Sequence, residues 1–310
     1  MLKFLHLTDG ESLSAGLESY YAGLRDSQST NRARSVAADI LNDTWEIPKE
    51  LDSLVEALIV TAQRIDSGEW SILKEDYYHN TPHFCEVPCN THVLFHLNGG
   101  TRYNPPLNMQ RHLETVLAGF LHDICHDGSV NGNNLYKLEK DSFRTAKPML
   151  IRCGVPRETI RRIRFMLLST EVSADGRKAL KYIHDLHETG KMDNFDAALI
   201  PAGFDKDLLR ALRKDRTICR QCAILGDADI LGSTGLNLKH ARDNTLAFSL
   251  ERGWPTRPED VRKNLKYFLD NVFIDHITPG AKLAFGENTR IIYGIIDSEN
   301  AVNPAQPAPS

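Results

Sequence analysis

Leu113, Val116, Leu117, Phe120, Leu121 and Ile124 recur every third or fourth position, a spacing that lines one face of an α-helix and cannot line one face of a strand. The period returns at Leu54, Leu58 and Ala62, at Ile160, Ile163 and Leu167, at Leu208, Leu212, Cys219, Cys222 and Leu225, and at Val261, Leu265, Phe268 and Leu269. Two-residue alternation is scarce, and Ile291-Ile292-Tyr293-Gly294-Ile295-Ile296 is the best strand candidate. A chain patterned this way is expected to be all-α. A helix is predicted from Thr81 to about Leu97, with Pro82 suited to its first turn and Pro88 expected to kink or divide it. Gly99-Gly100 and Pro105-Pro106 mark a loop. Residues 107–126 read as a helix with Gly128 as its stop, followed by an Asn- and Gly-rich loop from Asp127 to Asn134.

Residues 1–50 mix helix formers with polar clusters such as Ser27-Gln28-Ser29-Thr30-Asn31, and short helices without chemistry are expected there. The tail from Asn303 to Ser310 is rich in Pro and Ala and reads as disordered. The division expected is an N-terminal helical extension over 1–50, a catalytic domain over 51–285 and a C-terminal extension over 286–310. The formal net charge of -4 argues against a broad basic surface for nucleic acid polymers and leaves a local anion site open. No apolar run is long enough to cross a bilayer, and Met1 to Asp9 lacks a cleavable signal pattern. The expectation is a cytoplasmic protein with no membrane partner. Cys85, Cys89, Cys125, Cys153, Cys219 and Cys222 are then reduced, buried or half-buried thiols; Cys219 and Cys222, two residues between them, would otherwise suggest a redox sensor or a metal.

Three groups can carry chemistry. Tyr78-His79-Asn80-Thr81-Pro82-His83 puts His79 and His83 on the same side of a helix start. Leu121-His122-Asp123-Ile124-Cys125-His126 closes an apolar helix where a buried face meets a polar loop. Gly226-Asp227-Ala228-Asp229-Ile230-Leu231 continues another helix. Two imidazoles and two carboxylates form a donor set suited to zinc, manganese or iron, and a carboxylate can bridge to a harder second ion such as magnesium. Each group also has a bland reading. His-Asp is a common dipeptide, His92 and His96 at four-residue spacing read as hydrogen-bonded core or surface residues, and Asp227 and Asp229 suit a helix end or a solvated face.

In order and content the three groups resemble the HD superfamily and, more closely, its cyclic-nucleotide phosphodiesterase branch, which carries Tyr-His-Asn-x-x-His, then His-Asp-x-x-His-x-Gly, then Ala-Asp-hydrophobic. Thr91-His92-Val93-Leu94 is similar to the same branch. The resemblance covers roughly residues 60–275 in outline and implies an HD-type, phosphodiesterase-like helical bundle. It implies that His83, His122, Asp123 and Asp229 hold a first metal, zinc or manganese or iron, and that Asp123 bridges to a second, magnesium or manganese. It implies further that His79 protonates the leaving oxygen, that His126 stands beside the bridging hydroxide, and that Asn80 helps order the site and the substrate. The activity implied is hydrolysis of a small nucleotide phosphodiester by a metal-bound hydroxide. A nucleotidase or nucleoside-triphosphate hydrolase using the same centre, and a non-catalytic metal-binding module, are the alternatives.

The chain departs from the pattern at Phe84, Glu86, Pro88, Cys125 and Asp127. No Gln occurs between Gln221 and Gln306, so the base-reading glutamine of the branch has no counterpart, and cAMP or cGMP is not carried over as substrate. Asn264 with Tyr267 or Phe268 imitates that pair in composition, but a solvated helix face is the simpler reading. Glu139 is read either as a holder of a metal-bound water or as a surface helix start. Arg161, Arg162 and Arg164 are expected to face solvent.

Overall fold

The computed structural model describes residues 10–26, 30–44, 46–70, 77–99, 108–129, 131–132, 134–171 and 173–302. The tail from Asn303, the first nine residues, and the loop markers Gly100, Pro105 and Pro106 lie outside them, as do Ser27, Gln28 and Ser29.

The described residues form helices and no strand. In chain order the α-helices are α1 (Gly10–Asp26), α2 (Arg32–Asp43), α3 (Asp52–Asp66), α4 (Thr81–Gly99), α5 (Met109–Leu121), α6 (Lys137–Arg152), α7 (Arg157–Leu168), α8 (Ala174–Glu188), α9 (Lys206–Lys214), α10 (Arg216–Thr234), α11 (Leu238–Glu251), α12 (Pro258–Phe268) and α13 (Pro279–Val302). The strand candidate at 291–296 lies inside α13. Ile292 and Ile296, four apart, are buried, while Ile291, Tyr293 and Ile295 are exposed. A short apolar run does not distinguish period two from a helical stripe, and packing chose the helix.

α10 is the hub. It packs against α4, α5, α7, α8, α9, α11 and α13, and every residue from Ile218 to Thr234 is buried. A central helix can keep polar residues only if each finds a partner. Arg220 donates to both oxygens of Glu188 at 2.8 and 2.9 Å. Gln221 donates to the Arg111 carbonyl, Glu114 and Thr115. Asp227 takes Arg177 at 2.7 Å and the Ile277 and Thr278 N–H groups. Asp227 is therefore a buried structural anion rather than a solvated one. Arg177 also donates to the Phe273 and Asp275 carbonyls, and so pins the turn at Ile274, whose φ of 66° is strained for a β-branched residue.

Arg162 corrects the solvent-facing expectation for its cluster. Its guanidinium is buried and bonds Glu114, Asp215 and Gln221, whereas Arg161 is exposed beside Glu158. α1 and α2 contribute Leu13, Leu17, Tyr21, Val36 and Ile40 to the same core as α4, α5 and α10. No helix among the described residues is long and apolar enough to cross a membrane.

Pro88 lies inside α4, which runs through it undivided. The reason is on α5. Gly119 brings that helix so close that an added Cβ would sit 3.1 Å from the Pro88 Cα and 3.0 Å from the Thr91 hydroxyl. Burial against α5 offsets the lost hydrogen bond. Gly119→Ala should therefore separate α4 from α5 and lower stability by about 1–3 kcal/mol in urea unfolding; an unchanged midpoint would contradict this close approach.

Candidate metal centre

The site forms where α4 starts, α5 ends and α10 crosses both. Asn80 caps α4: its side-chain oxygen accepts the His83 N–H at 3.1 Å, which fixes His83 on the first turn. His122 is the C-cap of α5, and its Nδ1–H donates to the Gly119 carbonyl at 2.9 Å. A carbonyl can only accept, so this bond fixes the tautomer and turns the Nε2 lone pair inward. Asp123 follows directly, and Asp229 projects from the middle of α10.

These four side chains converge. The Nε2 atoms of His83 and His122 face each other across 3.2 Å. Asp229 Oδ1 lies 3.5 Å from His83 Nε2 and 3.4 Å from His122 Nε2. Asp123 Oδ2 lies 3.4 Å from His83 Nε2 and 2.8 Å from His122 Nε2. Donors about 2.1 Å from one ion stand about 3.0–3.4 Å apart in octahedral or tetrahedral order, so the set fits a divalent cation. Electrostatics agree. Burial opposes charge on both imidazoles, yet the carboxylates of Asp123 and Asp229 outweigh it and raise His83 and His122. Burial likewise opposes charge on Asp229, and His122 outweighs it, holding the carboxyl down at about 2. The carboxylates demand positive charge, and a divalent ion supplies it with the imidazoles neutral.

A second group borders the first. His79 Nε2 lies 3.6 Å from Asp123 Oδ2. On its other edge, His79 Nδ1–H meets Glu251 Oε1 at 2.8 Å, and the His79 backbone N–H donates to Oε2 at 3.0 Å. His126 stacks on His79 with ring centroids 3.4 Å apart and planes 16° apart. Its Nδ1 accepts the Gly128 N–H at 3.1 Å. Burial, then the neighbouring His79, pushes His126 down to about 4.

All the candidate residues thus reach one region, with His79, His126 and Asn80 around the four donors. Asp227 faces away, held by Arg177. Glu139 is not on the surface: it is buried, bonded by the Asn131 amide, and burial, with Glu171 nearby, pushes it up to about 7. Of the residues read as a solvated face, only Tyr267, 63 % exposed, lies on one; Asn264 donates to the buried Ser249 hydroxyl, and Phe268 packs against the core cluster of Leu265 and Ile292. Glu86 pairs with His240 at 3.1 Å. Cys219 and Cys222 are fully buried, and burial raises both thiols, the condition of inert packing groups.

Glu251 escaped the sequence reading. It ends α11, and no motif surrounds it. One signal was available: an acidic residue in the last turn opposes the helix dipole, so its presence there calls for a partner elsewhere. Gly128, at φ 77°, closes the loop onto the same residue, since a Cβ there would meet Glu251 Cγ at 3.3 Å.

Solved structures share this architecture. The phosphodiesterase domain of the RhoPDE fusion protein from the choanoflagellate Salpingoeca rosetta is similar with a TM-score of 0.53 at 16% identity, over 96% of this chain and 91% of that one. A second structure, of the phosphodiesterase domain of the rhodopsin phosphodiesterase from the same organism, gives 0.58 at 16% identity over 96% and 94%. LmjPDEB1 in complex with IBMX gives 0.56 at 14% identity over 97% and 91%. The chain therefore has the all-α, phosphodiesterase-like fold. No family model and no curated protein matches its sequence.

Asp229→Ala deletes a donor and leaves two imidazoles facing one carboxylate. Its affinity for Mn²⁺ or Zn²⁺ at this centre should fall by more than about 100-fold in equilibrium titration, beyond the ordinary effect of losing an outer partner. Retained affinity would mean that the four side chains do not share an ion.

Proposed function

We propose that this chain is a metal-dependent phosphohydrolase that cleaves a small nucleotide phosphodiester. The observation that carries the reading is the adjacency of two built groups: the His83, His122, Asp123 and Asp229 donor set, and the stacked His79–His126 pair backed by Glu251. The fold it shares with phosphodiesterase domains supports the same reading, as do the motifs that supply these residues.

His83, His122, Asp123 and Asp229 would hold the first ion, with Asp123 also facing the second. A divalent ion bound there supplies Lewis acidity towards phosphate and towards water. The chain's own groups do the rest. His79 is the acid: Glu251 orients the ring by accepting its Nδ1–H, and Nε2 points towards the donor set, where a departing oxygen needs a proton. His126, held neutral beside His79 by burial, accepts Gly128 N–H through Nδ1. Its Nε2–H is then free to orient a polar atom. Zinc, manganese or iron suits the nitrogen-bearing first site, and magnesium or manganese the second.

The test is a hydrolysis screen with added manganese, magnesium or zinc over cyclic mononucleotides, cyclic dinucleotides, mononucleotides and nucleoside triphosphates, with Asp123→Ala as the blank. Hydrolysis of a diester that this variant lacks is expected; hydrolysis of no phosphoester by the metal-loaded protein would end the proposal.

His79→Ala should lower kcat on a diester by about 10²–10⁴-fold, because an alkoxide leaves poorly without a proton. Unchanged turnover would count against the diesterase reading. Glu251→Gln keeps the shape and removes the charge behind His79. It also weakens the acceptor that orients Nδ1–H, so kcat on a diester should fall by about 10-fold or more while KM stays near the wild-type value. An unchanged kcat would mean that Glu251 does not position His79.

A further inference from the structure

The two helices that supply His83 and His122 carry a second histidine meeting, further along. α4 and α5 run antiparallel, so His92 on α4 faces His112 on α5. His92 lies nine positions beyond His83, about 13 Å along the helix axis, well clear of the candidate metal centre. His96, one turn after His92, joins them. The three ring-centroid separations are 4.5, 4.9 and 5.4 Å. Imidazoles that share one ion at about 2.0–2.1 Å have centroids about 4.5–5.2 Å apart in octahedral or tetrahedral order. The His92–His96 and His92–His112 separations lie in that range, as does the His83–His122 pair at 5.1 Å, and His96–His112, at 5.4 Å, stands just beyond its upper end.

The orientation of His92 is also that of a ligand. His92 Nε2–H donates to Asp43 Oδ2 at 3.1 Å, at the end of α2. That bond leaves the Nδ1 lone pair facing His112 Nε2 at 2.8 Å. A carboxylate behind an imidazole fixes its tautomer and raises its basicity towards a cation on the other edge. One nitrogen from each of His92, His96 and His112 lies within 4.8 Å of the others. His92 and His112 are buried, whereas His96 is exposed, which leaves an entry path and a position for solvent.

We infer that His92, His96 and His112 form a second transition-metal site, backed by Asp43, that binds Zn²⁺ or a similar nitrogen-seeking divalent ion and clamps α2, α4 and α5 together. The ion replaces the His92–His112 hydrogen bond, and the His112 ring proton moves from Nε2 to Nδ1, so no proton is lost overall. Three imidazoles without a carboxylate ligand favour Zn²⁺, Ni²⁺ or Cu²⁺ and disfavour Mg²⁺. The site is a staple and does not depend on the proposed hydrolysis.

The test uses the full chain, stripped by chelator and titrated with Zn²⁺ alone, and with Co²⁺ for its visible spectrum. In an Asp123→Ala/Asp229→Ala background, one equivalent should still bind and raise Tm, by roughly 5 °C at a hundredfold excess over Kd. Adding His96→Ala, a change at an exposed position, should weaken that equivalent at least about 100-fold and abolish the Tm rise, while the helical circular dichroism is unchanged. If the double variant does not fold, the wild-type chain serves: His96→Ala should lower its Zn²⁺ stoichiometry by one and leave hydrolysis with Mg²⁺ or Mn²⁺ intact. Equal Zn²⁺ binding and equal Tm response with and without His96 would overturn the site and leave a hydrogen-bonded core cluster.

Discussion

Two carboxylates beside two buried imidazoles, Asp229 buried and Asp123 largely so, stand where three core helices meet and set the terms for the rest of this structure. Buried anions are tolerated only with compensating charge and hydrogen bonds. Asp229 lies near the middle of a helix whose surroundings are otherwise protein on every side, and Asp123 begins the turn that ends α5. Each is answered by His83 and His122, and the set as a whole asks for a cation. Holding that set together requires Asn80 to cap α4, the Gly119 carbonyl to aim His122, and α10 to run through the interior.

The same demand shapes the surrounding core. α10 carries Arg220, Gln221 and Asp227 into the interior, and each is matched by a group from a different helix: Glu188 on α8, Glu114 on α5, Arg177 on α8. These pairs fix the rotation of α10 about its axis and thereby the direction in which Asp229 points. Networks of this kind add little net stability over apolar packing, but the loss of any one member strands a charge. The polar interior thus orients the donor set, and the apolar stripes bring the helices together.

Much of this is legible in the sequence. The all-α class follows from periodicity, and the candidate donors from three short motifs together with the family those motifs resemble. Other readings failed where a distant partner decided the outcome. Of the two outcomes expected at Pro88, a kink or a division, the division does not occur, because Gly119 lets α5 pack over it. The 291–296 run is helical, because only one side of it meets the core. Arg162 and Asp227 looked solvated among charged and polar neighbours, and both are buried against partners far along the chain. Glu251 lay outside every motif, yet it holds His79. His92 and His96 read as an ordinary four-residue pair until α5 brought His112 to meet them.

The sequence by itself determined the helices and the residues able to bind a metal, because period, caps and short motifs are local properties of the chain. Only the tertiary structure decided which of them share a site. That depends on helix rotation and on the closeness that Gly119 allows, which arise from packing among residues distant in sequence. The same physics made Asp229 a candidate ligand and Asp227, two positions away on the same helix, a structural anion: a step of two residues turns the side chain by about 200° around the axis, from the cluster of imidazoles to the guanidinium of Arg177.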